Sequence, residues 1–311
     1  MTATVLDLSE LISKQSELEA LAKANEQTQL ERKAPNSRKA YARWVVRFDS
    51  FRRDYRLPND SNTLALFLQQ LAGLDRSIST IKQAYAGVID SYGDLRSEQV
   101  SRTIQGITQQ HKDKGKTAKT KPALTLEIAQ DILAAIHGDS LRSLRNRAML
   151  SVQWVTASRP SELLGLCVSH IVLCPDIITL EVFEKDHSTS RLKTIAKDKP
   201  LGAFEHLQTY LNQAGLESGP IWRKVSRADN PCKTALKNYS VVFADLLEGA
   251  GLARNAFTPH CVRTGYVTSQ AMAGASLAEI IAVTGHQNIE SVKHYFDRAL
   301  MLRNNPMDKL K

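Results

Sequence analysis

The chain has 311 residues, 42% of them hydrophobic, enough to bury a core in each of two domains. Its 41 Lys and Arg against 32 Asp and Glu leave a net charge of +9, which points to a polyanionic partner. No run of 18 apolar residues and no charged-then-apolar leader occurs, which argues against membrane insertion and secretion and for the cytoplasm.

Residues 1–36 hold six acidic and four basic residues, with a weakly helical stretch from Leu6 to Leu30, and read as an extension. The basic excess therefore belongs to the rest of the chain. From Ser37 the apolar set Tyr41, Trp44, Val45, Phe48 and Phe51 follows one helical face, while Lys39, Arg43 and Arg47 recur every fourth residue on another. Such a helix can pack inward and touch phosphate outward; the plain alternative is a solvated cationic face. A second helix around 62–71 and a third bearing Ile78, Ile81, Tyr85, Val88, Ile89 and Tyr92 complete a small helical domain over residues 37–111. Residues 112–122 carry five lysines and no large apolar side chain, so they read as a linker. Its Lys116, Lys119 and Lys121 suit a strap along a phosphate backbone, where each neutralised phosphate releases counterions.

A mainly helical domain follows over 123–295, with a small sheet at 171–200. Ile177 to Glu184 alternates apolar and β-branched residues as a strand does, and Leu192 to Ala196 is its expected partner. Residues 296–311 form an amphipathic tail suited to docking on a neighbouring protomer. The four cysteines, Cys167, Cys174, Cys232 and Cys261, show neither zinc spacing nor the density of a disulfide scaffold, and read as reduced core thiols.

One ordered set of residues carries chemistry. Arg159 precedes Pro160 and an apolar helical run containing Leu163, Leu164 and Leu166. Further on, Thr258 is placed to cap a helix whose first position is Pro259, so that His260 and Arg263 share a face near the N-terminus, where free N–H groups and the helix dipole favour an anion. Ser276 and Glu279 make a capping box, Gly285 ends that helix, and His286 falls in a tight turn. Asn288 caps the next helix, which carries Tyr295 about two turns in. Two arginines that grip non-bridging oxygens, histidines that move protons and a tyrosine hydroxyl suit transesterification of a phosphodiester with neither metal nor cofactor. The bland reading of Tyr295 is a half-buried core tyrosine; Tyr266 and Tyr239, which lack its relation to Gly285 and His286, read as packing residues.

In order and spacing, Arg159, His260-x-x-Arg263, Gly285-His286 and Tyr295 resemble the catalytic domain of the tyrosine recombinases, the phage integrase family, over roughly residues 37–308. The resemblance implies a mainly α fold with a small antiparallel β-sheet, built as a helical core-binding domain plus a catalytic domain. It implies a 3′-phosphotyrosyl link between Tyr295 and double-stranded DNA, a supporting role for Glu162, and a tetramer on two target sites. It also implies a lysine in a β-hairpin as general acid, which places the role on Lys185, with Lys193 as the alternative. A type IB topoisomerase would use nearly the same pocket, and a catalytically silent DNA-binding accessory protein is the competitor from another class.

Overall fold

The computed structural model describes residues 16–21, 23–24, 35–115, 121–184, 189–286 and 288–303. The chain divides into two compact units, residues 1–119 and 120–311. No helix among the described residues is long and apolar enough to cross a membrane.

The first unit is helical: α1 Pro35–Asp54, α2 Ser61–Gly73, α3 Ile78–Ser91 and α4 Glu98–Asp113. Trp44, Phe48 and Phe51 are the buried face of α1, while Tyr41 and Val45 are half-buried at its edge. Three of the helices start as their local chemistry dictates. The side chains of Asp60, Ser77 and Ser97 accept the backbone N–H of Thr63, Thr80 and Val100, donors a helix cannot satisfy internally. Gly87 lets α3 approach α1: a Cβ there would lie 3.1 Å from the Tyr41 Cα. Helix α4 adds to the three expected from the sequence, with Val100, Ile107 and His111 buried along one face.

The second unit runs α5 Leu126–Ala134, α6 Leu141–Thr156, α7 Pro160–Leu164, β1 Ile171–Leu173, β2 Ile177–Phe183, β3 Ser190–Ala196, α8 Ala203–Ala214, β4 Arg223–Val225, β5 Pro231–Ala235, α9 Tyr239–Gly249, α10 Pro259–Ala273, α11 Leu277–Thr284 and α12 Glu290–Arg303. The three-stranded sheet is antiparallel in the order β1-β2-β3, with Leu180 opposite Lys193 and Phe183 opposite Ser190. The second strand of that hairpin thus begins two residues before its expected start. A separate two-stranded ribbon, β4–β5, has no counterpart among the expected elements.

Helix α6 is the spine of this unit. Its Leu144, Ala148, Met149, Leu150, Val152 and Trp154 are buried, and it packs against α8 and α10. Leu124 crosses α10 at Gly265, where a Cβ would stand 1.6 Å from the Leu124 carbonyl oxygen. Its backbone N–H donates to the Cys261 carbonyl at 3.0 Å, and its carbonyl accepts from the Trp154 indole at 3.2 Å. Only hydrogen fits at position 265.

Candidate active site

Helix α10 carries two of the expected residues and begins as the sequence requires, with Thr258 at the N-cap and Pro259 first in the helix. The capping differs in one respect: the Thr258 hydroxyl engages the Cys261 thiol at 3.3 Å rather than a backbone N–H. Ser276 and Glu279 form their box, Gly285 ends α11 at φ 66°, and the Asn288 side chain accepts the Glu290 N–H at 3.0 Å. These local stops and starts bring His286 and Tyr295 back toward α10.

The result is a cavity of about 350 Å³ lined by Arg159, His260, Arg263, Thr264, Val267, His286, Val292 and Tyr295. Five residues singled out in sequence therefore share one concave site. Tyr295 is half-buried against the small cluster of Val267, Ala271, Ile280, Val292 and Ala299, which fixes its ring beside the cavity. Tyr266 packs edge-on against Trp154 and Tyr239 against Phe243, and burial pushes both phenols up.

Arg263 is only 1% exposed. Its Nη1 donates to the Ala157 carbonyl at 2.8 Å and its Nε to His286 Nε2 at 3.2 Å, leaving Nη2 buried without a partner among the described residues. An orphaned donor on a buried cation is costly unless an anion completes it. Burial, and next the neighbouring Arg159, hold the guanidinium down to about 10, still charged at neutral pH. Because His286 Nε2 accepts, the ring's proton sits on Nδ1 and donates to Thr284 Oγ1 at 2.7 Å. Burial first, then Arg263, Arg159 and His260, hold His286 down to about 3, so its ring is neutral and orients the arginine. His260 is shifted down in the same way, by desolvation first and then by Arg263 and Arg159.

Arg159 stands at the N-cap of α7, 37% of its side chain exposed, and its guanidinium meets Glu162 Oε1 at 2.5 Å. The other oxygen of Glu162 accepts the Arg159 backbone N–H at 2.8 Å. Desolvation raises the Glu162 pKa, but the Arg159 contacts and the charge of Lys193 outweigh it and leave the carboxylate below its ordinary value. Glu162 therefore holds both the backbone N–H and the guanidinium of Arg159.

Lys193 is 7% exposed and lines a second, small cavity with Arg159, Glu162, Val182, Glu184, Arg191, Thr284 and Gly285. Lys185 lies outside the described residues, as do Lys116 and Lys119. Lys121 is exposed and donates to the Asn255 carbonyl. On α1, Lys39, Arg43 and Arg47 are all exposed, with the Arg47 guanidinium 5.0 Å from the Trp44 ring centroid. Of the four cysteines, all unpaired, only Cys261 is buried; Cys174 is exposed and Cys167 and Cys232 are half-buried, so the expectation of core thiols holds for one. The expected tail overlaps α12, whose Ala299 is buried within its own unit and whose Met301 is 75% exposed. Sequence reasoning missed Arg191, whose Nε donates to Glu184 Oε1 at 2.8 Å and whose side chain lies against Gly285. It also missed Thr284, the partner of His286.

Residues 122–300 match the Phage integrase family. The integrase/recombinase xerD homolog of Selenomonas ruminantium is 22% identical over 296 residues, 89% of this chain and 86% of that protein. Tyrosine recombinase XerD of Halalkalibacterium halodurans is 24% identical over 253 residues, 75% of each. Among solved structures, the XerH site-specific recombinase in a post-cleavage complex with palindromic difH substrate is similar with a TM-score of 0.64 at 18% identity, over 88% of this chain and 78% of that one. The Tn1549 transposon integrase in complex with a circular intermediate DNA gives 0.58 at 16%, over 86% and 99%. These identities speak for the fold, whereas the family match covers more than half of the chain and takes in Arg159, Glu162, His260, Arg263, His286 and Tyr295. The chain belongs to the phage integrase family.

Proposed function

We propose that this protein is a site-specific tyrosine recombinase, which cuts and rejoins double-stranded DNA through a 3′-phosphotyrosyl intermediate. The observation that carries the reading is the shared cavity of Arg159, His260, Arg263, His286 and Tyr295, with, beside it, a buried Nη2 of Arg263 that has no partner among the described residues. The Tyr295 hydroxyl attacks the scissile phosphorus while Arg159 and Arg263 hold the non-bridging oxygens, where charge accumulates in the transition state. The phenolic proton passes to His260, whose lowered pKa leaves a neutral ring able to accept it. The bond to the 5′-oxygen breaks, and that oxygen leaves with a proton from Lys185. Rejoining is the reverse, with a 5′-hydroxyl attacking the phosphotyrosine. Each step exchanges one phosphodiester for another, so no external energy source is needed.

Exchange between two duplexes cuts four strands, and with one nucleophilic tyrosine per chain this calls for a tetramer on paired sites. The DNA-bound XerH and Tn1549 integrase structures support the choice of DNA as partner. A cytoplasmic setting suits the four unpaired cysteines. Exposed Lys39, Arg43, Arg47 and Lys121, together with Lys116 and Lys119, supply the phosphate grip.

The test uses a nicked duplex bearing the site mapped by footprinting on DNA flanking the gene. Cleavage next to a nick releases a short strand and traps the covalent complex. Tyr295→Phe abolishes this adduct and leaves binding in place; an adduct that survives, or that maps to Tyr266, overturns the assignment. Relaxation of supercoils from a single site, without two-site exchange, would instead identify a topoisomerase.

A further inference from the structure

Lys193 sits where a core side chain belongs. In β3 the inward face alternates through Lys193 and Ile195, both buried, and Lys193 stands opposite Leu180 of β2. A buried ammonium costs desolvation that an apolar residue at the same position would avoid, so its retention asks for a reason.

The reason lies in what the ammonium holds. Its Nζ donates to the Thr156 carbonyl at 2.6 Å and to Ser158 Oγ at 3.3 Å. The direction of each proton in this network is determined. Thr156 Oγ1 donates to the Val152 carbonyl at 2.6 Å, so the 2.8 Å hydrogen bond between Ser158 and Thr156 must be donated by Ser158. That leaves the lone pairs of Ser158 Oγ for Lys193. Between these two residues Ala157 adopts φ 48°, a left-handed conformation that alanine takes only when its surroundings impose it. All three carbonyls of the turn are held: Thr156 by Lys193, Ala157 by Arg263 and Ser158 by Gln153. The next residue is Arg159.

Lys193 and Tyr295 line different cavities, and Arg159 is common to both. A proton donor for the leaving oxygen belongs in the cavity with the nucleophile, whereas Lys193 has two of its N–H groups committed to fixed acceptors behind it. Its charge also steadies Glu162, the carboxylate that grips Arg159 from the other side.

We propose that Lys193 is a positioning residue, which locks the strained 156–158 turn and the Glu162 carboxylate so that Arg159 is presented to the phosphate. This rests on the recombinase reading and separates Lys193 from the general acid, Lys185. Arg159 acts by neutralising a non-bridging oxygen, so a methylphosphonate at the scissile position, which lacks that charge, lessens the need for it. A 5′-bridging sulfur, which leaves unprotonated, lessens the need for an acid instead.

Lys193→Met is therefore expected to bind DNA like the parent and to cleave ordinary DNA about 10–10²-fold more slowly, a positioning loss no larger than that of a direct phosphate donor. Methylphosphonate restores much of that loss, as it does for Arg159→Ala, while 5′-sulfur does not. The double variant Arg159→Ala/Lys193→Met is no slower than Arg159→Ala alone, because both changes remove the same interaction. A merely structural role would give neither the substrate pattern nor this non-additivity. Rescue by sulfur would make Lys193 the acid; parental cleavage, or losses that multiply, would also overturn the proposal. Should Lys193→Met fail to fold, Lys193→Gln, which keeps an N–H for the Thr156 carbonyl without charge, carries the same comparison with a smaller loss. Tyr295→Phe and Lys185→Ala run alongside: an adduct with the first sinks the recombinase reading, and absence of sulfur rescue in the second sinks the acid, each independently of Lys193.

Discussion

On α1, Lys39, Arg43 and Arg47 stand in solvent, while on α10 Arg263 is 1% exposed, tied to a backbone carbonyl and a histidine, with one donor unsatisfied among the described residues. The exposed set keeps its hydration and loses little by meeting a phosphate, so its contribution is diffuse and screened by salt. Arg263 has already been stripped of water by folding, and a phosphate that enters the cavity completes its hydrogen bonding in a site of low dielectric. The same residue type thus stands solvated in one unit and desolvated in the other, which suits the proposed diffuse grip on DNA and the proposed response to charge development. Desolvation, borne in advance by the fold, makes the difference.

The sharpest way to break this comparison is Arg263→Ala, which should slow single-turnover cleavage by about 10²–10³-fold while shifting equilibrium binding far less. A loss of affinity as large as the loss of rate would place Arg263 with the grip instead. Arg263→Lys should recover little, since one ammonium cannot reach the Ala157 carbonyl, His286 and a phosphate together. A smaller effect is expected from replacing Lys39, Arg43 and Arg47 together by Ala. The slope of log affinity against log salt should flatten by about 0.9 for each phosphate that is no longer neutralised. Unchanged slopes would show that the stripe is only solvated.

A third effect is on stability. Burial, opposed by Glu162 and reinforced by Arg263, Arg159 and Arg191, lowers the Lys193 pKa from 10.5 to about 8. Between those two values the unfolded chain binds the proton and the folded one does not, so this group makes unfolding harder as pH rises through that window. Denaturant titrations at the two ends of the window should show the rise in the parent and its absence in Lys193→Met. Beside the solvated stripe and Arg263, Lys193 is then a third kind of cation, buried and turned toward the 156–158 turn and Glu162.

Much of the site was legible because it is built from local devices. Pro259 after Thr258, Ser276 with Glu279, and Gly285 each announce a helix end within four residues, and those ends set where His260, Arg263, His286 and Tyr295 point. The strands were legible from alternation, though β3 gains two residues from pairing Arg191 with Val182 and Ser190 with Phe183, which its own sequence does not signal. Helix α4 was visible in principle from Ser97 and the spacing of Val100, Ile104, Ile107 and His111, but its polar composition hid it. The turn before Arg159 could not be read: nothing in an alanine announces φ 48°, and the bond that secures it joins residues 37 apart in sequence. Cysteine placement failed for a similar reason, since the exposure of Cys174 follows from the loop between β1 and β2 and not from the residue.

The crossing of Leu124 over Gly265 decides where this protein can be cut and respliced. Leu124 is hydrogen-bonded to the turn of α10 that holds His260 and Arg263, and position 265 admits no side chain. The lead-in of the catalytic unit is therefore a structural part of its active site. A chimera that exchanges the helical first unit must join before Lys121; a junction placed after Leu124 would carry the catalytic helix away without the segment that braces it.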